Sequence, residues 1–339
     1  MGGRALKNTY TRRYERQEFE DIKNEIFDIL SKTFDRYDIP RFFAKKETFG
    51  DIDIIISMEG YYGNMNDYID ATFEPNEIFH NGNAWSFDYK ELQVDFITCS
   101  GEDFDSNYHY LAFNDLGNFI GRLAQSIGFK YGQEGLWYNH FSDANTKTKI
   151  MVSKDYPKIF EFLGLDYQKW VEGFDTLEDI FEYTMTSSLF NPEMFKLSQL
   201  NKINRERNLK RASYMAFLDY IEDKPAHPEY NPNTVSLAKE NVIEMIRDKD
   251  GFPEANIDLR LVEIEYEAAK KKLINTKFNG KMIMNKYGLE GKELGEAIKN
   301  FKGYFCAVNL KDVSDDTFNE LIIKSSVDVI FKLFENTLN

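Results

Sequence analysis

The sequence predicts an α+β chain in which a short mixed sheet near the N-terminus is followed by mostly helical domains. Three observations lead there. The β-branched run Ile52, Ile54, Ile55 and Ile56 reads as a buried strand, and Trp85 to Tyr89 with Leu92 to Thr98 reads as two more. From about Asp115 the apolar spacing turns helical, with Leu116, Phe119, Ile120, Leu123 and Ile127 on one face. No convincing strand pattern follows before the last third.

Taken in order, the stretch from Gln17 to about Phe34 carries Phe19, Ile22, Ile26, Ile29 and Leu30 at three- and four-residue steps, an amphipathic helix closed off by Pro40. Arg41 to Lys45 can run extended, and Glu47 to Gly50 makes a short turn that delivers Asp51 to the start of the isoleucine strand. Lys90-Glu91 is the short connection inside the strand pair, and Asp95 lies within its second member. Further helices are expected around Pro157 to Leu163, Leu177 to Leu189, Leu200 to Ile221 and Thr317 to Leu338, with His227-Pro228 and Asn231-Pro232 as a linker. Three domains are therefore expected, over residues 1–112, 113–228 and 229–339, because the chain is longer than one core usually organises.

With 42% apolar residues, 29 Phe and 20 Tyr, the chain belongs with folded globular proteins rather than disordered ones. No run approaches the roughly 20 apolar residues of a membrane span, and no signal-type stretch opens the chain. A cytoplasmic location without a membrane partner is expected, in the host cytoplasm if the chain is viral. Cys99 and Cys306 stand far apart, without metal-ligand spacing, which fits a reducing compartment. His80, His109, His140 and His227 show no metal-helix pairing, and neither a Gly-x-Ser-x-Gly nor a P-loop pattern occurs, which counts against hydrolase and ATPase chemistry. A net charge of −15 opposes non-specific adhesion to nucleic acid, so an RNA partner needs a local basic surface.

Asp51 and Asp53 are one residue apart on a strand, so both carboxylates lie on the same face and repel each other. A Mg²⁺ or Mn²⁺ ion relieves that repulsion, since these hard cations take carboxylate and phosphate oxygens. Asp95, set in the otherwise apolar Leu92-Gln93-Val94-Asp95-Phe96-Ile97, can join them from a neighbouring strand, and a buried Asp needs a cation or a partner. Three carboxylates can hold two metals about 3.5–4 Å apart, an arrangement suited to in-line nucleotidyl transfer. The rival reading makes Asp51 and Asp53 strand-edge charges and leaves Asp95 bonded to backbone.

Lys46-Glu47-Thr48-Phe49-Gly50-Asp51-Ile52-Asp53-Ile54-Ile55-Ile56, together with Gln93-Val94-Asp95-Phe96, resembles the DNA polymerase beta-like nucleotidyltransferase superfamily. More narrowly, it resembles the predicted nucleotidyltransferases of large bacteriophages and other DNA viruses. The motifs cover about residues 45–98. The resemblance implies a nucleotidyltransferase fold for the N-terminal domain and metal-binding roles for Asp51, Asp53 and Asp95. It also implies a nucleoside triphosphate as substrate and a second domain that closes the nucleotide cleft. The phosphate turn usual just before the acidic pair is absent. Gly2-Gly3-Arg4-Ala5-Leu6 resembles the Gly-Gly-x-Ala-Leu turn of toxin-type members but lies further upstream; as an anion nest it would use the amides of Gly2 and Gly3, and the alternative is a frayed terminus.

Lys45, Lys46, Thr48 and Gly50 are candidate phosphate contacts, with solvated charge the alternative for the lysines. Lys130 and Tyr131, within Gly128-Phe129-Lys130-Tyr131-Gly132, are candidates for a phosphate contact and base stacking, against helix packing followed by a glycine stop. Basic islands at Lys196 to Arg211 and Lys270 to Lys281 are either RNA-phosphate contacts or solvated helix faces. Three functions remain open: nucleotide addition to an RNA 3′ end, tRNA among the candidates; toxin-like transfer to a protein or small molecule; and non-catalytic nucleotide binding by a viral protein with a relic triad.

Overall fold

The structure, a computed structural model, describes residues 5–142 and 147–338. Its fold is α+β, a small mixed sheet in the N-terminal region followed by helices, as the sequence predicts. The first part comprises β1 (Tyr14–Glu15), α1 (Arg16–Leu30), β2 (Tyr37–Asp38), β3 (Thr48–Phe49), β4 (Asp51–Ser57), α2 (Met65–Phe73), β5 (Ile78–Asn81), β6 (Ala84–Tyr89) and β7 (Leu92–Cys99). Five of these strands pair in the order β2-β4-β7-β6-β5, with β4 and β7 parallel and the other neighbours antiparallel. The short β1 pairs with β3.

The isoleucine run is β4, and its alternation decides how the sheet is used. Ile52, Ile54 and Ile56 point into a core with Phe19, Ile22, Ile26 and Leu30 of α1, the face expected from their spacing. Burying each such side chain contributes about 1.5–3 kcal/mol, which outweighs the weak intrinsic preference of α1 for a helix. The turn between β6 and β7 puts both Lys90 (φ 49°) and Glu91 (φ 64°) in the left-handed region without a glycine. Tertiary contacts hold it: the Tyr14 hydroxyl donates to the Lys90 carbonyl, Lys90 pairs with Glu25, and the Arg12 amide donates to the Glu91 carbonyl at 2.8 Å.

The following part comprises α3 (Phe104–Leu111), α4 (Leu116–Ser126), β8 (Phe129–Gly132), β9 (Gly135–Phe141), β10 (Lys147–Ser153), α5 (Tyr156–Phe162), α6 (Tyr167–Glu172), α7 (Leu177–Met185), α8 (Lys202–Asn208), α9 (Ala212–Tyr220), α10 (Pro232–Glu240) and α11 (Val242–Arg247). The second sheet, β10-β9-β8, corrects the expectation that no strand returns after Asp115. Gly128 does end α4, at φ +92°, but the chain then reverses into a hairpin rather than a loop. Its pattern has period two, with Phe129, Tyr131, Leu136, Ile150 and Val152 buried. The helix expected from Leu200 to Ile221 is two, α8 and α9, separated where Arg211 turns extended (φ −97°, ψ 107°).

The last part comprises α12 (Ile257–Lys277), α13 (Gly280–Tyr287), α14 (Gly291–Val308), α15 (Asp315–Lys324) and α16 (Val327–Glu335), around Phe278, Ile283, Phe301, Phe305, Ile322 and Phe334. Ser325 and Ser326 split the final expected helix, Ser326 capping α16 through the Val329 amide. The described residues form two compact units where three domains were expected: 5–138 with 150–255, and 139–142 and 147–149 with 256–338. The sheet of residues 37–99 and the helices up to Arg247 thus belong to one unit. Among the described residues no helix is long and apolar enough to cross a membrane, and Cys99 and Cys306 are free thiols.

One contact in this unit has a pH consequence. His109 of α3 is stacked between Tyr156, with ring centroids 3.7 Å apart, and Trp170, at 4.5 Å. Its Nδ1 donates to the Asp105 carbonyl at 2.7 Å, which leaves Nε2 to accept from the Tyr167 hydroxyl at 3.1 Å. Burial lowers its pKa from 6.5 against the opposing effect of Asp105. The unfolded chain then binds the proton more readily, so stability is lost as pH falls below about 6.5. His109→Phe, which keeps the stack, is expected to flatten this slope. Urea unfolding of both proteins at pH 7.5 and 5.5 measures it, and equal slopes would refute the assignment.

Candidate active site

β4 leaves Gly50 and carries Asp51 and Asp53 on the face opposite the core. Its parallel register sets Asp53 beside Asp95 and Asp51 beside Gln93, across a strand spacing of about 4.8 Å. On β6, Ser86 stands opposite Asp95, and Asp88 stands opposite Gln93. One end of this face is therefore polar over three strands, while Ile52, Val94 and Phe87 fill the other face.

The carboxylates are held differently. Asp95 accepts from the Gln93 side-chain amide at 3.0 and 2.9 Å and is also bonded to the Ser86 hydroxyl, both side chains rather than backbone. Burial pushes it up to about 6, against the Ser86 hydrogen bond, with repulsion from Asp51 adding to the rise. Asp53 is open to solvent on its cavity side and enclosed elsewhere. That enclosure, with the charges of Asp51 and Asp95, holds its carboxyl well above the usual range, and Lys46 opposes the shift. Asp88 is accounted for structurally, accepting from Asn76 at 2.7 Å and from the Glu77 amide at 2.9 Å.

Lys46 is placed by its neighbours. Arg16 donates to the carbonyls of Ala44 and Lys46 at 2.7 and 2.6 Å, fixing the segment before β3. The Lys46 ammonium then lies 4.5 Å from the centre of the Phe49 ring. Burial lowers its pKa, and Asp51 and Asp53 counter that effect. Asp51, Asp53 and Lys46 share a cavity of about 190 Å³.

The opposite wall comes from Arg41, Tyr110, Asn114 and Asn118, none of them expected at the site from the sequence, and from Arg211, expected only as part of a basic island. Phe113 and Asn114 are consecutive left-handed residues, at φ 55° and 59°, in the link between α3 and α4. Asn tolerates that conformation and Phe does not, so the reversal is imposed by packing. Phe113 is buried against Trp170 and Phe174, and its amide donates to the Arg41 carbonyl at 2.7 Å. Arg211, in the break between α8 and α9, pairs with the buried Asp115, which also accepts from Ser213. Arg207 donates to Asn118 at 3.3 Å. Thus part of the first basic island reaches the cavity wall.

Other selected residues lie elsewhere. The Thr48 hydroxyl accepts from Arg13 at 3.1 and 2.9 Å, which accounts for it without a phosphate. Lys45 pairs with Asp175 at 2.9 Å. Tyr131 is buried between Tyr110 and Phe160, and neither it nor Lys130 lines the cavity. Gly50 is buried at the entry to β4. Gly2 and Gly3 lie outside the described residues; the first described residue, Ala5, donates its amide to Gln93 Oε1 at 2.9 Å, beside Asp51 in the register.

Among the described residues, no three His, Cys, Asp or Glu side chains are already arranged as ligands of one ion. The donor chemistry nonetheless fits a hard divalent cation: three carboxylates on one face, two of them with pKa values raised by burial and mutual repulsion. No family model matches the sequence, and no curated protein matches it.

Proposed function

We propose that this protein is a metal-dependent nucleotidyltransferase that moves a nucleoside monophosphate from a nucleoside triphosphate to an acceptor hydroxyl. The observation carrying this reading is the register that sets Asp53 beside Asp95 on the same face as Asp51, next to a cavity walled by Lys46, Arg41 and Arg211. Asp51, Asp53 and Asp95 would hold Mg²⁺ or Mn²⁺, which when bound lowers the pKa of an attacking hydroxyl and offsets charge on the leaving group.

The chain's own groups bind and orient the anion. Lys46 approaches from the metal strand as a point charge, while Arg41 and Arg211 offer planar donor forks from the facing wall. A cavity of about 190 Å³ suits the phosphates, whereas sites enclosing whole ligands run to about 300–1,000 Å³. For the acceptor, an RNA 3′ end is favoured over a protein or small molecule, because Arg205 and Arg207 of α8 lead toward Arg211 at the wall.

The test is transfer itself. The protein is incubated with each labelled triphosphate, Mg²⁺ or Mn²⁺, and total RNA or total protein. Label is expected in RNA and dependent on the ion. Label confined to protein would move the acceptor to the toxin-like class, and nucleotide binding without label in any pool would overturn transfer.

A further inference from the structure

α12 is 21 residues long, yet Ile257 alone among them is buried. Leu261, Ile264 and Ala268 are half-buried along its inner side. On its outer side Leu259, Val262, Tyr266 and Leu273 are 60, 67, 67 and 42% exposed. Together with exposed Ala269 and Thr276 they recur at alternating steps of three and four, the a and d seam of a coiled coil. A solvated helix face has no need of that seam.

The charges beside the seam fall into two blocks. Glu263 and Glu265 flank its first half, and Lys270 and Lys272 flank its second. We propose that this seam is an interface with a second copy of this chain, the two α12 helices packing antiparallel about a two-fold axis between residues 267 and 268. In that register Tyr266 lies against the second copy's Ala269, Val262 against its Leu273, and Leu259 against its Thr276, so that a large side chain meets a smaller one at the central layers. The flanking positions then set Glu263 against Lys270 and Glu265 against Lys272, each pair occurring twice by symmetry. Parallel packing would instead stack the two Tyr266 rings and set Asp258 against the second copy's Glu263 and Lys272 against its Lys277, leaving Glu265 with Lys270 as the attractive pair. The contacts these charges make within one chain do not compete strongly. Arg260–Glu263 at 3.1 Å is an exposed pair, the half-buried Lys270 reaches its exposed partner Glu267 only at 3.8 Å, and His140 meets Glu265 at 3.4 Å.

The test uses the full chain and charge reversal at positions beside the seam. One variant carries Lys270→Glu and Lys272→Glu, so that positions 263, 265, 270 and 272 beside its seam are all acidic; the other carries Glu263→Lys and Glu265→Lys, so that the same four positions are all basic. Sedimentation velocity over a concentration series is expected to show wild type passing from monomer to dimer. Each variant alone should need about 100-fold higher concentration, because attractive pairs become repulsive. An equimolar mixture of the two should recover the dimer. Wild type remaining monomeric, variants dimerising alone as wild type does, or a mixture that stays monomeric would each overturn the proposal, and circular dichroism of each variant excludes misfolding as the cause.

Discussion

Asp53→Asn is expected to abolish nucleotide transfer while raising the thermal stability of the protein in the absence of divalent ions. The substitution keeps the shape of the side chain and removes a charge that Asp51 and Asp95 crowd from both sides. Loss of one metal-holding carboxylate removes several kcal/mol of transition-state stabilisation, or about a thousandfold in rate. The stability change has the opposite sign: enclosure and neighbouring carboxylates disfavour the ionised form of Asp53 in the folded state, and an amide carries no such cost. Manganese distinguishes this from a general effect. At a hundredfold excess over its dissociation constant, a bound ion stabilises by about 2.7 kcal/mol, a gain wild type should show in a melting series and Asp53→Asn should largely lack. A variant with full transfer activity, or equal ion-induced stabilisation of the two proteins, would remove Asp53 from the metal site.

The sheet and its acidic face were legible because both depend on local alternation. Ile52, Ile54 and Ile56, alternating with Asp51 and Asp53, leave a strand one way to bury its apolar side, and the pairing of β4 with β7 follows once Leu92 to Thr98 is recognised as a second strand. The facing wall was not legible. Arg41, Asn114 with Asn118, and Arg211 belong to three separate segments, and only the packing of α3, α4 and the α8–α9 break brings them together. The Phe113-Asn114 reversal carries no glycine to announce it, since tertiary contacts rather than turn chemistry impose it. The second sheet was missed at its first strand, β8, which is four residues long, follows Gly128 and ends on Gly132, glycines that read equally well as helix stops. Arg211 stood within a visible basic island, yet nothing local separated it from its solvated neighbours. Its distinguishing partner, Asp115, lies 96 residues away.

That partnership makes the two ways of breaking the Arg211–Asp115 pair unequal. Asp115 has a side chain only 5% exposed, whereas that of Arg211 is 41% exposed. Arg211→Ala therefore strands a buried carboxylate with Ser213 as its remaining donor, at a cost of about 3–5 kcal/mol. Asp115→Asn leaves an arginine that can turn to water, and should cost less. Adding Asp115→Asn to Arg211→Ala should then recover much of the lost stability, because an amide tolerates burial beside Ser213 without a cation. Triphosphate binding should not follow stability. If Arg211 holds phosphate, both the single and the double variant bind triphosphate about 10–100-fold more weakly than wild type, since a charge-assisted bond is gone from each. Urea unfolding and calorimetric titration with a triphosphate on the four proteins separate the two roles. Affinity recovering together with stability in the double variant would make Arg211 a structural cap on Asp115 and leave the anion to Lys46 and Arg41.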